Sequence, residues 1–247
     1  MPIDIFPANP GTILEPLRLE RNEKVFHAAF CLACPPWPET RDRRDQFLHA
    51  EEQSYFATLK FERRQISFLA GRYCAKRALQ HLCPAAEPAS FPIRPGVFQQ
   101  PVVHGLRANL QVSISHAHVW AAAVAFPEEH PMAIDIEEVK ADKADAIRSQ
   151  LTPSEYGLVA PLAGGELRAL TLLWTAKEAM AKVIRCGMMT PFTMFEIDSA
   201  SASGRAIVST FANFGQYKAI SYFHENLAIS LVSPRNTSIK SNLDSLF

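Results

Sequence analysis

The stretch RRQISFLAGRYCAKRALQHL, residues 63–82, runs without a proline and places Ile66, Phe68, Leu69, Tyr73 and Leu79 at helical spacing. A helix apolar over so much of its surface must lie against other elements. Pro84 and Pro88 end it. A second helical region spans 140–186, broken near Thr152-Pro153 and Gly164-Gly165, and WTAKEAMAKV (Trp174–Val183) lies in its last segment. Thr152-Pro153-Ser154-Glu155 carries helix-start signals: a cap residue, a proline in the first turn and an acid.

Strand-like runs surround both regions. HAAFCLAC (27–34) precedes the first helix, and QVSISHAHVWAAAVAF (111–126) and PMAIDIEEV (131–139) follow it, with the turn PEEHP suggesting that these two runs are neighbours. MFEIDSA, GRAIVSTFA, YKAISYF and NLAISLVS close the chain. The segment 41–62 reads as helical, and no short repeat is visible. Strands and helix, then strand, helices and strands, predict an α+β fold of two similar halves meeting near residue 130. The expected division is 1–130, 131–236 and a loose polar tail over 237–247.

The chain has 247 residues, with 25 basic and 25 acidic side chains. Its net charge of zero argues against a nucleic-acid partner. The apolar run VWAAAVAF is too short to span a bilayer, so no membrane partner is expected. The N-terminus lacks the basic region of a secretory signal, and a cytoplasmic protein is expected. Five scattered cysteines do not form a disulfide framework, and CLAC (31–34) has no second CxxC to complete a zinc site. They read as structural thiols.

Chemistry concentrates in three places. In AIDIEEV, Asp135 and Glu137 project from one face of a strand while Ile134 and Ile136 face the core. Two adjacent carboxylates repel each other unless a cation lies between them, and hard divalent cations prefer such oxygens. A solvated strand edge explains the same pattern. In WTAKEAMAKV, Glu178 adds a third acid, and Lys177 and Lys182 bring positive charge suited to phosphate. An ordinary i,i+4 surface pair, Glu178 with Lys182, is the plain alternative. In SISHAH, Ser115 and His116 offer a hydroxyl and an imidazole to a phosphate, or are simply satisfied near a strand end. No GxSxG elbow or HExxH spacing supports a serine hydrolase or a zinc protease.

Taken in order, SISH (113–116), AIDIE (133–137) and WTAKEAMAK (174–182) resemble the SxSH, GxDxE and WxxKEAxxK motifs of the Sfp-type 4′-phosphopantetheinyl transferases. FLAGRYCAKRAL (68–79) resembles that family's helix with a Gly-Arg step, and PGVFQQP (95–101) stands where members carry a loop beside the adenine. The resemblance covers roughly residues 60–185. Ala133 replaces the glycine of GxDxE, Gln100 stands where lysine is frequent, and Ser67 stands where some members carry an arginine for the 3′-phosphate.

The resemblance implies two pseudo-symmetric halves with coenzyme A bound at their junction. It implies a monomer that transfers phosphopantetheine from coenzyme A to a serine of an apo acyl or peptidyl carrier protein, releasing 3′,5′-ADP. Asp135, Glu137 and Glu178 would hold Mg²⁺ on the diphosphate. Glu137 or Glu178 would draw the serine proton, and Lys182, with Lys177, would pair with phosphate oxygens. His116 with Ser115 would meet the 3′-phosphate or ribose, Arg72 the 3′-phosphate or diphosphate, and Gln100 and Pro101 the adenine, while Trp174 packs the helix. Lys140, Lys143 and Arg148, with Leu151, Tyr156 and Leu158, would present a docking patch to an acidic carrier. The alternatives are a Mg²⁺-dependent hydrolase of coenzyme A or nucleotide diphosphates, and a non-catalytic homologue that binds coenzyme A or a carrier.

Overall fold

The computed structural model describes residue 6 and residues 11–247; the rest of the proline-rich start lies outside the described residues. The chain is α+β and divides into two compact units. One holds residues up to 18 and 26–129, the other residues 19–25 and 130–247.

The first unit holds β1 (Ile13–Arg21) as far as Arg18, β2 (Lys24–Ala33) from Phe26 onward, α1 (Trp37–Asp42), α2 (Ala50–Thr58), α3 (Glu62–Leu82), the short pair β3 (Ile93–Pro95) and β4 (Pro101–Val103), β5 (Leu110–Ala117) and β6 (Trp120–Pro127). The strands β1, β2, β6 and β5 lie side by side in that order. The alanine run of β6 explains how α3 docks. Ala121, Ala123 and Ala125 alternate onto one face, opposite Ala33, Cys31 and Ala29 of β2. That face of small side chains packs into the same core as Leu69, Tyr73, Cys74, Ala75 and Leu79 of α3. The approach is close enough for the Cys74 thiol to donate to the Ala121 carbonyl at 3.2 Å.

The second unit comprises β7 (Ala133–Glu138), α4 (Ala144–Arg148), α5 (Pro153–Ala163), α6 (Glu166–Val183), β8 (Ile197–Ser203), β9 (Ala206–Phe211), β10 (Tyr217–His224), β11 (Leu227–Pro234) and α7 (Leu243–Leu246). Its sheet runs β7-β11-β10-β9-β8 with antiparallel pairings. α6 packs on the sheet through Leu172, Leu173, Ala176, Ala179 and Met180. A buried hydroxyl chain joins the layers: Thr175 to Ser230 at 2.7 Å and Ser230 to Ser221 at 2.8 Å. Both units thus repeat one plan, a long helix on an antiparallel sheet.

Four expectations are corrected. The run 111–126 is a hairpin, because His118 adopts φ 54° and lets the chain reverse between β5 and β6. β6 and β7 are not neighbours; β7 pairs with β11. The segment 41–62 is interrupted, since His49 caps a new helix: its backbone N–H donates to Glu52 at 3.0 Å, and its Nδ1 accepts from Glu51 N–H. The tail is not loose, because it carries its own apolar face. Leu243 is buried, and the Phe247 ring centre lies 5.2 Å from that of Tyr222.

Candidate functional site

In the second unit the acids face the long helix. Asp135 stands opposite Ser230, whose hydroxyl meets Thr175 of α6, so period-two alternation puts Asp135 and Glu137 on the helix side of β7. Ile134 and Ile136 occupy the other face and are also buried. Lys182 reaches down from α6 and donates to Asp135 Oδ1 at 2.6 Å and to the Ile134 carbonyl at 3.1 Å. Lys143, just before α4, donates to Glu137 Oε2 at 3.0 Å.

Glu178 lies one helical turn before Lys182. Burial, reinforced by the charge of Asp135, raises its pKa from 4.5 to about 7, against the pull of Lys182. Burial also raises the Glu137 pKa, opposed by its hydrogen bond from Lys143. The three acids therefore share one electrostatic neighbourhood. Among the described residues, however, no three acidic, histidine or cysteine side chains converge closely enough to form a ready metal cage. Lysines hold two of the acids instead.

Lys177, expected beside phosphate, is placed elsewhere. It is fully buried and donates to Glu155 Oε1 at 2.5 Å and to the Gln150 carbonyl at 3.3 Å. Helical geometry sets this outcome: Lys177 and Glu178 are separated by about 100° around the axis, so they face different surroundings. Trp174 packs against Phe192, with ring centres 4.7 Å apart.

In the first unit a cavity of about 440 Å³ opens between α2, α3, the β3–β4 loop and β5. Arg72, Pro101 and His116 line it, together with Tyr55, Phe68 and Ile93. Arg72 donates to Glu52 at 2.7 Å and to the Ile93 carbonyl at 3.0 Å, while its guanidinium stacks over Phe68 at 4.7 Å. At the mouth, Arg94 grips Glu51 with two hydrogen bonds of 2.7 and 2.8 Å. Prolines, aromatic rings and arginines suit a flat base carrying anionic groups.

Two expected residues do not line this cavity. Ser115 is buried on the strand face opposite His116. Gln100 folds back over its own loop, accepting from Phe98 N–H at 3.0 Å, and its neighbour Gln99 takes the lining position at φ 65°. Glu51 and Arg94 were not singled out in the sequence, because their pairing joins positions 43 residues apart.

The expected docking residues are largely engaged. Lys140 pairs with Glu138, Lys143 with Glu137, and Arg148 with Asp145 and Glu166. Leu151 and Tyr156 pack against the second unit's core, while Leu158 is exposed. All five cysteines are free thiols. Among the described residues no helix is long and apolar enough to cross a membrane.

Residues 131–232 match the 4′-phosphopantetheinyl transferase superfamily, and residues 51–126 match the 4′-phosphopantetheinyl transferase N-terminal domain. No curated protein matches the chain significantly. Among solved structures, similarity is found to a holo-(acyl-carrier-protein) synthase from Bacillus anthracis str. Ames in complex with CoA (3′,5′-ADP), at 17% identity and a TM-score of 0.33, covering 47% of this chain and 95% of that one. The two family matches between them reach into both units and take in Arg72, Pro101, His116, the three acids and Lys177 and Lys182: the chain belongs to the 4′-phosphopantetheinyl transferase superfamily and is a transferase of that class.

Proposed function

We propose that this chain transfers phosphopantetheine from coenzyme A to a serine hydroxyl of an apo acyl or peptidyl carrier protein, with Mg²⁺ and with release of 3′,5′-ADP. The observation that carries the reading is the grouping of Asp135, Glu137 and Glu178 within reach of Lys182 and Lys143. Three mutually repelling carboxylates are a donor set suited to a hard cation, and small side-chain movements away from the lysines would free their oxygens. Mg²⁺ bound there would neutralise charge on the diphosphate.

The remaining chemistry falls to the chain's own groups. Glu178 is the best-placed base. No lysine hydrogen-bonds its carboxylate among the described residues, whereas Glu137 is held by Lys143, and in the metal-free protein burial already makes it more basic than an ordinary glutamate. It takes the serine proton as the hydroxyl oxygen bonds to the phosphorus that carries pantetheine. The anhydride P–O bond to the nucleotide breaks, and 3′,5′-ADP departs with that electron pair. Lys182 moves from Asp135 to the phosphate oxygens and balances the charge that grows there. In the first unit, Arg72 and His116 receive the phosphate and ribose of the nucleotide, while Pro101 and the aromatic wall receive the adenine.

Intact-protein mass spectrometry tests this reading. Apo peptidyl and apo acyl carriers are incubated with the protein, coenzyme A and Mg²⁺. A gain of one phosphopantetheine, lost in Glu178→Ala and without metal, is the expected result. Coenzyme A cleaved with no carrier modified would instead identify a hydrolase.

A further inference from the structure

We infer that Gly71 is a positioning residue whose missing side chain seats the imidazole of His116. The inference rests on the coenzyme A reading only for the ligand that His116 meets. Gly71 lies inside α3, away from either end. Glycine there weakens a helix relative to alanine, and its backbone is ordinary helix with no positive φ, so local conformation does not call for it.

The neighbouring strand supplies the reason. A Cβ at Gly71 would lie 2.2 Å from His116 Nε2, 2.9 Å from His116 Cε1 and 3.2 Å from Ile114 Cγ2. The first two distances are impossible contacts, so the ring occupies the volume an alanine methyl would need. His116 stands on β5, exposed enough to line the cavity, and Arg72, the next residue of α3, lines the same cavity. One helical step therefore does two things: Gly71 fixes where the imidazole lies, and Arg72 brings its guanidinium to the same cavity. Alanine at 71 would push the ring outward, since the end of a side chain yields more readily than the packed helix. The fold would gain helix propensity while the cavity lost a correctly placed nitrogen.

The test is a double-mutant cycle on the full chain, with 3′,5′-ADP as the calorimetric probe and the His116 ring signals followed by NMR. G71A is expected to shift the His116 ring resonances, to keep or raise the melting temperature, and to weaken 3′,5′-ADP about tenfold, the loss of one good hydrogen bond to a charged group. H116A should weaken binding to a similar degree, and G71A/H116A no further than H116A alone. Losses that multiply, or ring signals that stay put in G71A, would overturn the inference. Should G71A fail to fold, G71A/H116A must restore folding, because the methyl then has the vacated space; failure of that rescue also overturns it. If the native protein does not bind 3′,5′-ADP, the coenzyme A reading falls, and the ring signals alone decide the role of Gly71.

Discussion

Lys177 Nζ lies 2.5 Å from Glu155 Oε1, and both side chains are fully buried. Glu155 is also the capping acid of α5, accepting from Thr152 N–H at 2.7 Å, and its other oxygen accepts from Ile197 N–H at 3.1 Å, where β8 begins. The first unit contains the same device. Glu52 caps α2, accepts from Ile93 N–H at 3.1 Å where β3 begins, and pairs with buried Lys76 at 3.0 Å. The lysines occupy matching places in YCAKRA (73–78) and WTAKEA (174–179). Each carboxylate ties a helix start, the long helix and a strand start together. Lys177 is thus a structural partner in this unit. Removing it strands a buried charge, so Lys177→Met should cost about 3–5 kcal/mol in denaturant unfolding. The 3′,5′-ADP affinity of the remaining folded protein should be unchanged; a selective loss of affinity at full stability would return Lys177 to the phosphate site.

Glu178 makes stability depend on pH. Its pKa rises from 4.5 to about 7 on folding, so the folded state holds a proton that the unfolded state has released between those values. That stabilisation is complete below pH 4.5 and is lost as pH rises through about 7. Its size is at most on the order of 2–3 kcal/mol after solvent screening. In metal-free buffer, Glu178→Gln should therefore gain on the native protein in melting temperature between pH 5 and 8. Parallel pH profiles for the two proteins would show that the glutamate is not perturbed.

The helices and the acids were legible because their signals are local. Apolar spacing marked α3, the Thr152-Pro153 start and the Gly164-Gly165 break framed α5 and α6, and DIE placed two carboxylates on one face of β7. What escaped reading depends on partners distant in sequence or on single backbone angles. The Glu155–Lys177 pair spans 22 residues and the Glu52–Lys76 pair joins two helices, so the AK repeat gains meaning only in three dimensions. The β5–β6 reversal rests on His118 at φ 54°, inside an otherwise strand-like run. Ser115 was within reach: period-two alternation already sets it opposite His116.

Arg72 and Gln100 should separate clearly in binding. Arg72 spends its guanidinium on Glu52, the Ile93 carbonyl and the Phe68 ring while still lining the cavity. Lysine cannot reproduce that planar fork, so Arg72→Lys should weaken 3′,5′-ADP by about tenfold or more. Gln100 is turned onto Gly96 and Phe98 N–H. Gln100→Ala should leave calorimetric affinity within about twofold, the scale of a surface substitution. Equal losses in the two variants would place Gln100 on the ligand after all.

Lys143 and Lys182 should oppose a divalent cation at the acids they hold. Each ammonium occupies a carboxylate oxygen and adds a positive charge that a metal ion must overcome. Lys143 is more than half exposed, so its pairing with Glu137 is weak and readily exchanged. With Mn²⁺ as an electron-paramagnetic-resonance probe and no coenzyme A present, Lys143→Ala should tighten binding about two- to fivefold. Lys182→Met should also tighten Mn²⁺ binding, yet slow carrier modification by about 100-fold, because in the proposed reaction that ammonium would serve the phosphate oxygens. The two effects of Lys182→Met pull in opposite directions, which a general loss of structure would not produce. Weaker Mn²⁺ binding in both lysine variants would mean that the ammonium groups support the acids in the metal-bound state instead of standing in for the cation.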